Sequence, residues 1–510
     1  MTTTPADPAV LTVYPSAETV PSKDQEHASA ARRVIRNALA LSFARPFTWL
    51  SAAGLTVLLP GYLGDVNLGK INAAFAFADW CGLLVSLGIT TYLTKEVARQ
   101  KAEPGQLILN ALVLRMALAL FVGLGAVGVA SLVTDDSLSR QLVYLLSIHM
   151  MLTVIGGVLT GALQGMQQMR CVATIDAFSK LALLGLVGVF LFEGLGPRSV
   201  AVAYIVSDLI AISWLIWAVR RIGGLAGSIN LHSWKALMTG GLPFFVWEAA
   251  LLTYARVDVI LLSALATSAV VGWYYAAYRI ISLPLFLPVI LMTAIFPALS
   301  ASVHDSTLFN LLCRRGVVVA VLTTVPMAFG LILLADKVID LFGYPASFSN
   351  SVAPIALLAA GLPLVAVNMI IAPALSALDR QRRWALLGVG AAVLNPLSNL
   401  LAIPLTDREF GNAAIGAAAV TTCTEIYLLA GGLILLPRGV LDGSTYAGVL
   451  KCLLAGLLMA AAIWLASDFS IFVLVPLGAV VYGLGVIFFR AITLSDLRQA
   501  RAYLRGPVEV

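Results

Sequence analysis

The sequence predicts an all-α integral membrane protein of about 14 transmembrane helices, and its composition and patterning support this fold class. Of the 510 residues, 60% are hydrophobic and only 11% are charged, against roughly 25% charged residues in an average soluble domain. The apolar residues form long runs with short polar breaks, and one crossing of a bilayer needs about 20 of them in succession. A soluble enzyme, a disordered scaffold and a secreted disulfide protein are therefore poor fits.

Charged residues, Gly and Pro divide most of the chain into apolar runs of helix length. Residues 1–30 are instead rich in Thr, Pro, Ala and Ser, and we expect a disordered cytoplasmic tail there, not a cleaved signal peptide. The predicted spans are approximately residues 37–60, 70–94, 107–133, 141–165, 171–192, 199–219, 238–264, 271–301, 314–335, 350–378, 384–405, 412–437, 447–467 and 470–490.

The distribution of Lys and Arg predicts the orientation of these spans. With the N-terminus in the cytoplasm, most basic residues, including Arg115, are counted on the cytoplasmic side, as the positive-inside rule requires. We therefore expect a multi-pass protein of the cell (cytoplasmic) membrane with both termini in the cytoplasm. The net charge of +6 is then a signal of topology, and no nucleic-acid partner is needed to explain it.

A short internal repeat divides the spans into two groups. The repeat joins GKINAAF, which begins at residue 69, to GWYYAAY, which begins at residue 272, an offset of 203. Two six-helix copies would both start in the cytoplasm, so they would be pseudo-symmetric lobes around a central cavity, related by an axis along the membrane normal. The predicted divisions are an N-lobe at 31–221, a C-lobe at 235–437, two extra helices at 447–490 and a cytoplasmic C-terminal tail at 491–510.

Polar side chains follow one face of the second span and the same face of its repeat in the eighth span. A lipid-facing surface would not carry such a stripe twice, whereas the lining of a cavity would. For the uncharged members, hydrogen bonding to neighbouring helices is the alternative. The stripe consists of Asn72, Asp79, Ser86 and Thr90 in the second span and of Tyr275, Arg279, Ser282 and Thr293 in the eighth.

Ionisable side chains inside the predicted spans mark a substrate path, an ion path or a buried pair, because a charge at mid-bilayer costs about 2.5–3.5 kcal/mol on insertion scales. By the offset of 203, Arg45 corresponds to Glu248, and we hypothesise that the two pair in one closed state. Arg256 and Asp258 lie about 200° apart on their helix, so one of them should pair with a neighbouring helix. We assign Glu248 and Asp258 to gating or ion coupling. The intramembrane acids are Asp79, Asp208, Glu248, Asp258 and Glu425, and the bases are Arg45, Arg256 and Arg279.

Intramembrane arginines suit one class of ligand, because the guanidinium group binds phosphate through two parallel hydrogen bonds and stays charged at low dielectric. A lipid-linked sugar carries phosphate or pyrophosphate between a polar glycan and an apolar tail. It would need cationic anchors, polar groups for the sugar and a lateral opening for the lipid. The predicted substrate-binding residues are Arg45, Arg279, Arg256, Asn72, Asp79, Tyr275 and Ser282.

No pattern in the sequence indicates catalysis. The five cysteines are scattered without the spacing of metal ligands, the four histidines show no ligand spacing, and we find neither a Walker A motif nor a nucleophile–base arrangement. We therefore expect no catalytic residue, no metal and no cofactor, and we do not expect an enzyme.

Several stretches together resemble the polysaccharide-transport, or oligosaccharide flippase, family of the multidrug/oligosaccharidyl-lipid/polysaccharide exporter superfamily. The resemblance implies a V-shaped pair of lobes, alternating access, and movement of undecaprenyl-pyrophosphate-linked oligosaccharide to the outer leaflet. It also implies that Arg45 and Arg279, and then Arg256, engage the pyrophosphate. The similar stretches are residues 37–45, 69–99, 241–244, 254–258, 271–279 and 377–382.

The leading functional prediction is therefore a flippase for lipid-(pyro)phosphate-linked oligosaccharide in the biosynthesis of surface polysaccharide. A cation-coupled multidrug exporter of the same superfamily and a lipid II flippase are the alternatives, and a non-transporting scaffold of an assembly complex is a further one. The expected partners are the lipid-linked substrate, membrane lipids, a polysaccharide polymerase and glycosyltransferases.

Overall fold

The protein is all-helical in a computed structural model that describes residues 23–99, 104–222, 225 and 227–491, with side chains from residue 44 onward except at position 294. These residues contain α-helices, one short 3-10 helix (Ala346–Ser351) and no strand. The all-α fold class is thus confirmed. Helix α1 begins at Lys23, so the predicted disordered tail is wrong for residues 23–30, which are helical. The rest of that tail and the C-terminal tail beyond 491 lie outside the described residues.

The helices follow one another with short connections, and each predicted span is occupied by helix. The helices are α1 (Lys23–Ser86), α2 (Ile89–Arg99), α3 (Pro104–Val133), α4 (Ser137–Gly165), α5 (Met169–Phe192), α6 (Pro197–Arg221), α7 (Leu231–Leu265), α8 (Ser268–Ser282), α9 (Phe286–Ala301), α10 (Ser306–Leu341), α11 (Val352–Ala377), α12 (Gln381–Phe410), α13 (Ala413–Leu435), α14 (Gly443–Leu465) and α15 (Ile471–Phe488).

Helix α1 contains two crossings. Its first arm (residues 44–63) runs beside α5, where Ser51 donates to the Lys180 carbonyl at 2.6 Å. Its second arm (residues 65–86) runs beside α4, where the rings of Phe75 and His149 lie 5.6 Å apart. A second contact along each arm shows that it runs parallel to its neighbour. Because a turn of a few residues joins α4 to α5, those two helices run in opposite directions, and so do the arms. The reversal occurs at Gly64, whose φ of 70° favours glycine.

Eleven helical segments of the described residues are long and apolar enough to cross a membrane, and a twelfth is added if the bent pair α8 and α9 forms one span. This count takes both arms of α1 as one segment and leaves out α7, a 35-residue helix that carries Glu248, Arg256 and Asp258. A straight helix of 43 residues would measure about 65 Å, twice the apolar core of a bilayer. The two arms are therefore best counted as two spans, which agrees with the sequence prediction.

The two lobes meet at the positions that the repeat equates. A β-carbon added to Gly69 would overlap the Ser268 carbonyl, and one added to Gly272 would overlap the Asp65 carbonyl. Positions 268 and 272 are positions 65 and 69 plus 203, so the contact is reciprocal, as a two-fold relation requires. The offset found in the sequence is therefore the offset of the pseudo-symmetry. The lobe boundaries at 31–221 and 235–437 stay a prediction.

The end of the bundle with the α4–α5 turn is called the inner end, because the sequence predicts it to be cytoplasmic. The Gly69–Gly272 contact lies at the opposite, outer end. There Trp273 Nε1 donates to Asp65 Oδ2 at 3.0 Å, and the Tyr344 hydroxyl donates to the Thr56 carbonyl. The lobes are thus closed against each other at the outer end.

The last two helices pack on the C-terminal half of the molecule. The Tyr482 hydroxyl of α15 donates to the Leu322 carbonyl of α10 at 2.9 Å, and Arg314 of α10 pairs with Asp442, the N-cap of α14, at 2.6 Å. Hydrogen bonds from Ser444 and Thr445 lower the pKa of Asp442 to about 2, which keeps this cap ionised. Helices α14 and α15 therefore extend the bundle outside the lobe interface.

Candidate functional site

A cavity of about 600 Å³ lies in the inner half of the molecule. Its walls come from the first arm of α1 and from α4, α5 and α6, and Val289 of α9 closes it from the other lobe. Arg45 supplies a cation, Asp176 an anion and Gln164 an amide to this cavity. The Trp49 ring, another wall residue, rests against Phe286 with ring centroids 5.7 Å apart. The volume is that of a typical small-molecule site.

Arg45 is the predicted site residue that faces this space. It is half-buried, and none of the ion pairs between described side chains includes it. Thr48 donates to the Arg45 backbone carbonyl at 2.8 Å and leaves the guanidinium unoccupied by that bond. A half-buried guanidinium beside an open cavity is suited to an anionic ligand such as phosphate.

Arg256 and Asp258 point to different partners, as their helical spacing indicates. Arg256 Nε forms an ion pair with Asp79 Oδ2 at 3.2 Å, which joins α7 to the second arm of α1 across the lobe interface. Asp258 is buried and accepts a hydrogen bond from the Tyr274 hydroxyl of α8. Arg256 and Asp79 thus face the interface, whereas Asp258 belongs to the interior of its own lobe.

Arg279 lies on α8, away from the cavity that contains Arg45. Its Nε donates to the Tyr275 hydroxyl at 2.9 Å, and its guanidinium carbon lies 5.3 Å from the centre of that ring. Tyr204 and Tyr344 also lie close enough to act on its charge. Ser282 donates to the Arg279 carbonyl at 2.7 Å, where α8 ends. Arg279 and Tyr275 therefore form a pair towards the outer end, and the Ser282 hydroxyl is bonded within its own helix.

Asn72 lies in the closed part of the lobe interface. Its side chain is buried at 1% exposure, and neither its amide nitrogen nor its oxygen has a hydrogen-bond partner. An unsatisfied buried polar group costs about 1–3 kcal/mol. Asn72 thus lines no open space in this conformation, and the outer contact carries an energetic cost that separation of the lobes would remove.

The inner end of the interface has a closed face between α1–α2 and α7. Ser86 donates to Glu248 Oε2 at 2.8 Å, and Thr91 donates to Glu248 Oε1 at 3.3 Å. The helix breaks between these two donors, where Gly88 and Gly241 approach so closely that a β-carbon on either would overlap backbone atoms of the other segment. Glu248 is therefore placed at a contact between lobes, as a gating residue would be.

The hypothesised Arg45–Glu248 pair is not formed in this conformation. Glu248 is held by Ser86 and Thr91, whereas Arg45 lines the cavity on the other face. The reason is the symmetry itself. Equivalent positions meet only close to the axis, as Gly69 and Gly272 do, and positions far from the axis lie on opposite faces.

One buried charge was placed incorrectly from the sequence. Arg115, counted with the cytoplasmic residues, lies inside α3 at 1% exposure and bonds to carbonyl oxygens of Ser86 and Val154. Its position inside an apolar run was visible in the sequence. Because Lys95 and Arg99 precede it in the sequence, the positive-inside count assigns Arg115 to the same basic cytoplasmic segment.

Two further polar groups were not predicted as sites. His149 Nδ1 and Asp208 Oδ2 lie 2.5 Å apart between α4 and α6. Glu425 of α13 is buried, receives Asn368 Nδ2 at 2.9 Å and accepts a bond from the Tyr254 hydroxyl. Partners this far apart in sequence cannot be identified without the fold. No group of three or more His, Cys, Asp or Glu that could hold a metal occurs among the described residues.

Comparisons with known proteins agree with this architecture. The family model described as "Polysaccharide biosynthesis protein" matches residues 34–303. A curated relative, "Probable flippase AglR" of Haloferax volcanii, is 29% identical over 203 residues, which cover 38% of this chain and 39% of that protein. The chain thus matches about two fifths of the length of this relative.

Solved structures share the fold at low identity. "Lipid II flippase MurJ, inward closed conformation" superposes with a TM-score of 0.71 at 17% identity, over 89% of this chain and 99% of that one. An inward-facing multidrug resistance MATE family transporter of the MOP superfamily gives a TM-score of 0.57 at 15% identity, over 78% and 93%. At these identities the likeness establishes the arrangement of helices.

Proposed function

The chain belongs to the polysaccharide biosynthesis protein family, and on this premise we propose that it is a flippase. Its substrate is an oligosaccharide linked to a lipid through phosphate or pyrophosphate, and it moves this substrate across the cytoplasmic membrane by alternating access. Both termini lie in the cytoplasm in this proposal. The product serves the biosynthesis of surface polysaccharide. The name of the curated relative, a probable flippase, supports the activity.

The observation that carries this proposal is the cavity around Arg45. It combines a half-buried guanidinium with an amide, hydroxyl groups and an aromatic wall, and it reaches α9 of the other lobe. A sugar phosphate needs this combination, because its phosphate takes charge-assisted hydrogen bonds and its hydroxyls take neutral ones. The boundary between the first arm of α1 and α9 is where the lipid tail would remain in the bilayer.

The arginines form a sequence of anchors from the inner to the outer half. Arg45 binds the phosphate first in the inner cavity. Arg256, held by Asp79 at 3.2 Å, exchanges this carboxylate for the phosphate as the lobes move. Arg279, held by Tyr275, is the outer anchor. Asn72 and Ser282 remain proposed sugar contacts for a conformation in which the second arm of α1 and α8 separate.

Glu248 and Asp258 take the other predicted roles. Glu248 belongs to the gate, because it bonds to Ser86 and Thr91 of the opposite lobe. Asp258 is proposed for ion coupling, because it is a buried carboxylate that accepts hydrogen bonds from Tyr274 and the neighbouring backbone. A polysaccharide polymerase and glycosyltransferases are proposed partners on the same pathway.

A cation-coupled multidrug exporter is the second candidate. Asp258 and Glu425 favour it, since both are buried carboxylates of the C-terminal half whose contacts are hydroxyl and amide groups. Such carboxylates could hold a coupling cation. A lipid II flippase is the third candidate.

The test is transport by purified protein in liposomes. A short undecaprenyl-pyrophosphate-linked oligosaccharide is incorporated into both leaflets. A sugar-modifying enzyme is added outside the liposomes and reports the movement of inner-leaflet substrate to the outer leaflet. We expect Arg45→Ala to slow transport about tenfold or more, the effect of losing one charged hydrogen bond. Arg170→Ala, at an exposed position outside the cavity, should transport like the wild type. Unchanged transport in Arg45→Ala would contradict the binding role, and transport of cationic drugs alone would favour the exporter.

A further inference from the structure

Arg115 is among the largest fully buried side chains of the described residues. It lies on α3, and its two terminal nitrogens donate to the Val154 carbonyl of α4 at 3.1 Å and to the Ser86 carbonyl at 2.8 Å. None of the ion pairs between described side chains includes it. A buried guanidinium with no carboxylate in contact is costly. Its hydrogen bonds must therefore hold α3, α4 and the end of α1 in one defined arrangement.

The Ser86 carbonyl is a special acceptor because α1 ends there. The next two residues, Leu87 and Gly88, have φ angles of 42° and 67°, and α2 begins at Ile89. The last carbonyls of a helix lack intrahelical donors. Arg115 supplies a donor to one of them and thereby fixes where the second transmembrane segment breaks.

Ser86 also connects this break to the other lobe. The Arg115 nitrogen that binds the Ser86 carbonyl lies 3.2 Å from the Ser86 hydroxyl, and the same hydroxyl donates to Glu248 Oε2 at 2.8 Å. Arg115, Ser86 and Glu248 thus form a continuous relay from α3 to α7.

The position of the break decides whether the inner face can close. The backbone of Leu87 and Gly88 lies directly against Gly241, with no room for a β-carbon on either glycine. A shift of the break by about an ångström would either separate these backbones or make them collide, since packed interiors do not yield gradually. Pro243 follows on α7 and removes a helix hydrogen bond there, so α7 can bend beside this contact.

From this geometry we propose that Arg115 is a positioning residue of the inner gate: it holds the break at Leu87–Gly88 so that Ser86 can bind Glu248 and the two lobes close between α2 and α7. The role rests on the proposed alternating access. Its primary readout is the separation of the lobes and does not depend on which substrate is moved.

The experiment measures the distance between spin labels by pulsed electron resonance in liposomes. The labels are attached to cysteines at the exposed positions Ala98 of α2 and Met238 of α7, in a chain whose five native cysteines are replaced by alanine. We expect Arg115→Met to lower the ratio of closed to open populations about tenfold, the effect of one charge-assisted hydrogen bond. Arg115→Lys keeps the charge with a different donor geometry and should restore part of it.

Two variants test the relay without removing the buried cation. Ser86→Ala and Glu248→Gln should each shift the same ratio in the same direction, and adding either to Arg115→Met should change it little further, because all three break one relay. Arg314→Met is the matched control. Arg314 also binds backbone carbonyls, those of Val440 and Gly439, and its other partner is Asp442 at the start of α14, not a residue of α2 or α7. Its closed population should equal that of the wild type.

The outcomes separate this proposal from the proposed function. Wild-type-like distances in Ser86→Ala and Glu248→Gln would overturn the positioning role, even if Arg115→Met fails to fold. A shift in Arg314→Met as large as in Arg115→Met would overturn it as well. If the distances respond as expected but no lipid-linked glycan is transported, the positioning role of Arg115 is supported and the proposed substrate is wrong.

Discussion

The inner half of the lobe interface has two faces related by the pseudo-symmetry, and they are in opposite states. On the closed face, Ser86 of α1 binds Glu248 of α7 at 2.8 Å. Adding 203 to 86 and subtracting it from 248 gives Val289 and Arg45, and both of these residues line the cavity. The same pair of positions thus joins the lobes on one face and lines an open space on the other.

The difference follows from the chemistry of these four side chains. A serine hydroxyl and a carboxylate form a charge-assisted hydrogen bond, whereas valine offers no donor or acceptor to an arginine. Glu248 is therefore satisfied within the protein, and the guanidinium of Arg45 is left for an anion from outside. Repetition of the fold supplied two equivalent faces, and divergence of single residues left one face closed and the other open.

The largest expected effect comes from breaking the closed face at its backbone contact. In Gly241→Val, the new side chain would overlap the Leu87 carbonyl, so α7 cannot reach α2. Overpacking of this kind costs about 1–3 kcal/mol or more, and we expect a loss of transport approaching a hundredfold together with loss of the closed population. Gly125→Val is the control, because nothing lies within 4 Å of a β-carbon there. Equal transport in the two variants would contradict the assignment of this face as a gate.

A second prediction exchanges the chemistry of the two faces. The double variant Arg45→Glu with Val289→Ser places the residue types of the closed face on the open one. We expect a new hydrogen bond there and about a tenfold lower rate of maleimide labelling of a cysteine at Thr48, a cavity residue. Val289→Ser alone should leave the labelling rate unchanged. If the double variant labels as fast as this control, residue chemistry does not explain the difference between the faces.

The outline of this comparison could be predicted from the sequence. Apolar runs predict the spans because the bilayer sets their length. The short internal repeat that begins at residues 69 and 272 gives the offset that relates the two faces. The offset also pointed to positions 45 and 248 as equivalents. Their expected pairing failed in this conformation because equivalence in sequence says nothing about distance from the symmetry axis.

The details of the gate could not be predicted, because they depend on where a helix breaks. The sequence predicted one uninterrupted span over 70–94, whereas the helix breaks at Leu87–Gly88. Glycine is common within membrane helices, so Gly88 alone was no signal of a break. Arg115 of another helix donates to the Ser86 carbonyl just before the break, a contact that only the folded chain creates.

The smallest effect is expected at an ion pair that belongs to neither face. Asp136, the N-cap of α4, pairs with Lys70 at 2.9 Å at the outer end. Hydrogen bonds from Ser139 and Lys70 lower the pKa of Asp136 from 3.8 to about 2. A carboxylate with a depressed pKa stabilises the fold above its unfolded pKa, and this contribution is lost as the pH falls from about 4 to about 2.

At neutral pH, Asp136→Asn should change the melting temperature by about 1 °C or less, because asparagine also caps helices and exposed pairs contribute little. Tryptophan fluorescence melts of wild type and variant should therefore coincide from pH 5 to pH 8, with transport unaltered. A large loss of transport in Asp136→Asn would show that control of the lobes extends to the outer end of the N-terminal lobe, beyond the two inner faces.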